Sequence, residues 1–139
     1  MFHSLPCEKL ALAGTGACQF HAVRNCRVWA KRPAWPTART RVHKLTHAGE
    51  SVSAKLTAIR AKLKEQSCDA ILLTDLAEIA WTFNMRGADV DCNPVFVSYA
   101  AIGADSATLY MHDGKVGEEV KKQLDEAGVT MGAYDDVRT

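Results

Sequence analysis

Apolar positions recur at helical spacing between Ser51 and Gln66, where Leu56, Ile59 and Leu63 fall three and four residues apart. Lys55, Arg60, Lys62 and Lys64 occupy the other side and read as a solvated face. Ser51 or Ser53 supplies the hydroxyl that the orphan amides of such a helix need. Cys68 to Thr74 is a short apolar run suited to a strand buried on both faces. Asp75 then stands where a cap belongs for a helix from Leu76 to about Phe83, closed by the stretch Asn84 to Gly87. Val95 to Ile102 and Ser106 to His112 read as neighbouring strands joined through Gly103, Ala104 and Asp105. After a turn at Asp113 and Gly114, Val116, Val120 and Leu124 share one face of a further helix, whose start carries Glu118 and Glu119 at the positive end of its dipole. Gly128 sits where that helix would close in the left-handed conformation, and Val129 to Tyr134 offers a last strand. Helix, strand, helix, two strands, helix, strand is the order of an α/β fold with a mixed sheet.

The N-terminal third breaks this pattern. Met1 to about Ala22 shows no sustained period, and the glycine pair Gly14 and Gly16 lacks the third glycine and preceding strand of a dinucleotide turn. Arg32 to Pro36 should be extended, because each proline fixes φ and removes a backbone donor. Its Pro-x-x-Pro spacing also suits a peptide ligand of an SH3 domain, a reading that needs a free polyproline segment and is the weaker one. The expected organisation is a flexible leader over residues 1–24, an Arg/Pro-rich linker over residues 25–50 and a domain over residues 51–139, its C-terminal completeness left open.

Composition narrows the class. A chain of 139 residues with 47% hydrophobic and 24% charged positions is globular rather than disordered or collagen-like. No run of about 18 apolar residues is present, so no membrane partner is expected. The net charge of +1 hides a basic front, with eight Lys or Arg against Glu8 up to Gly49, and an acidic body, with nine against fifteen Asp or Glu beyond it. A basic, acid-poor front suits a transit peptide or a nucleic-acid arm. Because the lysine-rich helix lacks interleaved aromatics, no nucleic-acid partner is expected. The cysteines, Cys7, Cys18, Cys26, Cys68 and Cys92, are odd in number and have no paired spacing, which points to reduced thiols and a cytoplasmic location. Cys18 and His21, with Cys7 or Cys26, lack the repeated short spacing of a zinc module.

The densest chemistry lies between Leu76 and Tyr99. Arg86, beside Gly87, suits a forked contact to a carboxylate or to helix C-terminal carbonyls. Arg86 and Asp89 are therefore candidate contacts to another domain or subunit, set against the simpler reading of an internal salt bridge. Asp89 with Asp91, and Asp75 with Glu78, are acidic pairs that suit Mg²⁺ or acid–base work, although loop hydrogen bonding and helix capping are the plainer uses. Trp81, Phe83, Phe96 and Tyr99 read as core, and His112 as a surface residue beside a turn.

The ordered run Glu78 to Trp81, Asn84, Arg86, Gly87, Asp89, Asn93 to Phe96, Ser98 and Tyr99 resembles the middle domain of Xaa-Pro aminopeptidases (aminopeptidase P). These enzymes belong to the creatinase and prolidase superfamily of pita-bread metallopeptidases. The resemblance extends from near Asn25 to near Tyr134 and departs from the family at Ala77, where Asp is usual, and at Met85, where Leu is usual. It implies a creatinase N-terminal-like α/β domain with a mixed sheet flanked by helices. Glu78, Trp81, Asn84, Gly87, Asn93, Pro94, Phe96 and Tyr99 would be its structural motif residues. It also implies a full-length homodimeric hydrolase that removes an N-terminal residue preceding proline. Its Mn²⁺ or Zn²⁺ would be held by two Asp, one His and two Glu of a C-terminal catalytic domain. None of those metal motifs occurs in this chain, so the expectation is a non-catalytic middle domain or fragment with no catalytic residue, no metal residue and no cofactor of its own. Its partner in cis would be the pita-bread catalytic domain. The alternative is a free-standing interaction or dimerisation module derived from such a domain.

Overall fold

The computed structural model describes residues 10–13, 31, 33–112 and 114–138. Among these, the strands are β1 (Leu10–Ala13), β2 (Arg41–Val42), β3 (Ala70–Leu73), β4 (Met85–Arg86), β5 (Ser98–Gly103), β6 (Ala107–Met111) and β7 (Thr130–Ala133). The helices are α1 (Leu45–Ala48), α2 (Val52–Glu65), α3 (Leu76–Thr82) and α4 (Glu118–Glu126), followed by a 3₁₀ turn over Tyr134–Arg138. Five strands form a sheet in the order β1-β3-β5-β6-β7. Its inner pairs are antiparallel and its outer pairs, β1 with β3 and β6 with β7, are parallel. The fold is thus the expected α/β class with a mixed sheet flanked by helices.

Strand alternation sets the core. In β5 and β6, Ser98, Ala100, Ile102, Ala107, Leu109 and Met111 are buried, while the residues between them are half-buried. Against that face pack Val52 and Leu56 of α2, Ile79 of α3, and Val120 and Leu124 of α4. Phe83, Met85 and Phe96 are fully buried in the same cluster. Of the two serines considered, Ser51 caps α2 by accepting the Ala54 amide at 3.2 Å. Asp75 caps α3 by accepting the amides of Ala77 and Glu78 at 2.8 and 3.0 Å. The cap therefore forms although residue 77 is alanine. Gly128 closes α4 at φ +69°, as a left-handed C-terminal glycine does.

Several expectations are corrected. Leu10–Ala13, inside the segment read as a patternless leader, forms β1 beside β3. A four-residue strand of leucine and alanine carries little local signal, and its place depends on a partner about sixty residues away. The boundary at residue 51 does not separate a linker from a domain, because Val42 packs on the core and β2 pairs with β4. Only Leu73 of β3 is buried, its neighbours being half-buried, so the strand is not covered on both faces. β5 starts at Ser98 rather than Val95, since the Val97 amide donates to the Asp89 carboxylate at 2.7 Å and the Val95 amide to Asn93 O at 2.8 Å. β7 stops at Ala133, and Tyr134 opens the 3₁₀ turn.

Candidate contact site

Asn84 organises the loop that follows α3. It adopts φ +49°, a conformation that asparagine tolerates better than most residues. Its side-chain oxygen accepts the Lys55 ammonium at 2.7 Å, and its amide nitrogen donates to Glu50 O at 2.7 Å. Its carbonyl accepts the His43 amide at 2.8 Å. The Lys55 ammonium also donates to Trp81 O at 2.8 Å and lies 4.1 Å from the centre of the indole. Lys55 is only 1% exposed, which corrects its placement on a solvated face. It follows Val52 by three residues and precedes Ile59 by four, so its position within the apolar stripe was already readable. Burial pushes its pKa down, the Glu50 charge partly pulls it back up, and the Arg86 charge lowers it slightly further.

Arg86 donates to Ala80 O at 2.9 Å and Met85 O at 2.8 Å, so one nitrogen of its guanidinium satisfies a carbonyl of the last turn of α3. Its acceptors are thus one α3 carbonyl and the carbonyl of the preceding β4 residue, with no carboxylate among them. Gly87 lies so close to the following loop that a Cβ would sit 2.6 Å from Phe96 Cβ and 2.8 Å from Val95 O. This explains why glycine follows the arginine.

Asp89 stands differently. Its side chain is 0% exposed and forms an ion pair with Lys115, itself buried just before α4. The carboxylate also accepts the Val97 amide, while its second oxygen has no hydrogen-bond partner among the described residues. A carboxylate held inside the fold does not reach a neighbouring subunit, so the expectation of an interdomain contact is corrected for Asp89. Loop hydrogen bonding describes it instead. Asp91 is exposed and Asp75 is committed to its cap. Among the described residues no group of three His, Cys, Asp or Glu is placed to hold a metal ion. His43 and His47, with ring centres 5.9 Å apart, lack a third ligand, so the residues present do not fit an Mn²⁺ or Zn²⁺ site.

The aromatic residues divide. Phe83 and Phe96 are core as expected, whereas Trp81 is 51% exposed and lies over Lys55 instead of filling the interior. Tyr99 is half-buried, with its ring 5.2 Å from that of Tyr134. His112, expected at the surface, stacks on Tyr134 at 4.5 Å and meets Trp35 at a tilt at 4.4 Å, the three rings forming one cluster, and its Nε2 is buried. Glu78, Asn93 and Pro94 are exposed, and Pro94 O accepts the Gly87 amide at 3.1 Å. Thr40 and Gln123 were not singled out from sequence. Both fasten loops: Thr40 donates twice to Lys115 O, and Gln123 donates to Phe83 O at 2.9 Å. Neither lies in a motif that could have revealed it.

Residues 31–139 match the creatinase/prolidase N-terminal domain family. The chain belongs to that family. It is 42% identical over 111 residues to a probable Xaa-Pro aminopeptidase P of Fusarium vanettenii, covering 79% of this chain and 18% of that protein. Aminopeptidase P2 of Arabidopsis thaliana is 37% identical over 111 residues, covering 79% of this chain and 16% of that protein. Among solved structures, X-prolyl aminopeptidase from Caenorhabditis elegans, a cytosolic enzyme with a di-nuclear active site, superposes with a TM-score of 0.76 at 27% identity. That match covers 81% of this chain and 18% of the worm protein. The creatinase N-terminal domain thus spans about a fifth of the length of the relatives it matches. No helix among the described residues is long and apolar enough to cross a membrane.

Proposed function

We propose that this domain is a non-catalytic module of a cytoplasmic Xaa-Pro aminopeptidase, a metal-dependent hydrolase that removes an N-terminal residue preceding proline. The observation that carries the reading is the coverage. Nearly four-fifths of this chain aligns with relatives named as Xaa-Pro aminopeptidases, yet it accounts for only 18% of the Fusarium protein. In the whole enzyme Mn²⁺ or Zn²⁺ would be held by a catalytic domain in cis. The role of the present domain is to pack on that catalytic domain, shape access to its cleft and support a homodimer. Arg86 is the proposed contact residue, because one guanidinium nitrogen takes both bonds, to Ala80 O of α3 and Met85 O of β4, and the residue is half-buried. The motif residues Asn84, Gly87 and Phe96 act by holding the loop that presents it.

The test is peptide hydrolysis by the purified 139-residue chain with Mn²⁺ or Zn²⁺ added. The expected result is no release of an N-terminal residue from a Xaa-Pro peptide. Metal-dependent cleavage by this chain would overturn the non-catalytic reading.

A further inference from the structure

The charges around the β2–β4 ribbon are mostly positive, with Glu50 the acid that acts on Lys55. Arg41 lies directly opposite Arg86 across the ribbon, and like charges so placed repel. His43 follows immediately after β2, with the His47 ring beside it. The Lys55 ammonium stands behind them, joined to His43 through Asn84. Among the described residues, neither Arg41 nor Arg86 forms an ion pair with a carboxylate. Arg41 and His47 are exposed, and the Trp81 indole over Lys55 presents an open apolar surface next to the charges. Surface cations gathered without a counter-ion create a positive potential that recruits anions, and a guanidinium binds a carboxylate through paired hydrogen bonds.

We propose that Arg41, His43, His47 and Arg86 form a docking site for an acidic polypeptide segment, whose Asp or Glu side chains meet the arginines while an apolar neighbour covers Trp81. Charge complementarity selects the chemistry of the occupant. Arg41 and Arg86 carry the charge, the His43 and His47 rings continue the face along the chain, and the exposed indole adds apolar surface, which suits an extended segment better than one small anion. The segment belongs to the remainder of the longer polypeptide. This assignment of its source rests on the aminopeptidase reading, whereas the binding chemistry does not.

The probe is a synthetic peptide repeating Glu-Glu-Leu, titrated into the ¹⁵N-labelled 139-residue chain and followed by amide chemical shifts. The expected result is saturable shifts confined to residues 41–47 and 81–86. Affinity should fall at least tenfold in Arg41→Glu and several-fold in Arg41→Gln, and stay unchanged in Lys62→Glu/Lys64→Glu, whose lysines are exposed on α2. Because Arg41 is itself exposed, its variants should keep the remaining spectrum and so report binding alone. Shifts spread equally over Lys62 and Lys64, or no saturation, would overturn the site. Displacement of the peptide by an equal concentration of inorganic phosphate would overturn the polypeptide occupant in favour of a small oxyanion, and tighter binding of a DNA oligonucleotide would do so in favour of nucleic acid. Peptide binding by a chain whose native form proves short would keep this site and remove the aminopeptidase reading. Absence of binding in a chain cut from a full aminopeptidase would do the reverse.

Discussion

At the residue scale, two lysines are buried among the described residues, and they are treated differently. Lys115 is neutralised by Asp89, whereas Lys55 is held by two oxygens and an aromatic face without a carboxylate among its hydrogen-bond partners. Removing one member of a buried ion pair strands the other charge. Lys115→Met should therefore cost about 3–5 kcal/mol, read as a lower denaturant midpoint. A change within about 0.5 kcal/mol would mean that the Asp89 carboxylate finds water or another donor. His43 gives a pH signature. Burial, followed by the charges of Arg86, His47, Lys55 and Arg41, lowers its pKa from the ordinary 6.5. The unfolded chain then binds the proton more readily, so His43 subtracts stability as pH falls through 6.5 and leaves it intact above. Denaturant midpoints at about pH 7.5 and about pH 5.5 should show a drop on acidification that is smaller in His43→Asn. An unaltered drop in the variant would place its origin elsewhere.

At the scale of elements, caps decide where helices begin. Asp75 satisfies two amides of a helix only seven residues long, so Asp75→Ala should destabilise the protein by about 1 kcal/mol. Thermal unfolding measures this, and an unchanged midpoint would mean that packing of Ile79 and Ala80 alone holds α3. Such elements were legible because their determinants are local: Ser51 and Asp75 cap, Leu56 and Leu63 repeat at helical spacing, and Gly128 terminates. The β2–β4 ribbon was not legible, since two-residue strands have no period to read. The start of β5 was equally hidden, because a distant carboxylate, Asp89, takes the Val97 amide out of the ladder. The candidate site was read in part. Arg86 was named from its neighbours, but the burial of Lys55 and Asp89 and the exposure of Trp81 depend on contacts made across the fold. Residue type alone put Lys55 on the solvated face and Trp81 in the core, whereas loop hydrogen bonding was the plainer reading of Asp89.

At the scale of the molecule, the sheet, the three longer helices and the Asn84 loop form one packed support. Asn84 ties α2, α3 and β2 together, and Gly87 lets two backbone segments approach closely. On the proposed reading the site acts by presentation, holding a basic face and an exposed indole for the rest of the enzyme. On the proposed reading the domain operates within a larger enzyme. The most direct test is the intact mass of the native protein carrying the peptide Glu65 to Arg86, isolated from source cells. A mass several times the 15.2 kDa of this chain is the expected result. A native mass near 15.2 kDa would contradict the account and leave the domain as a module acting on its own.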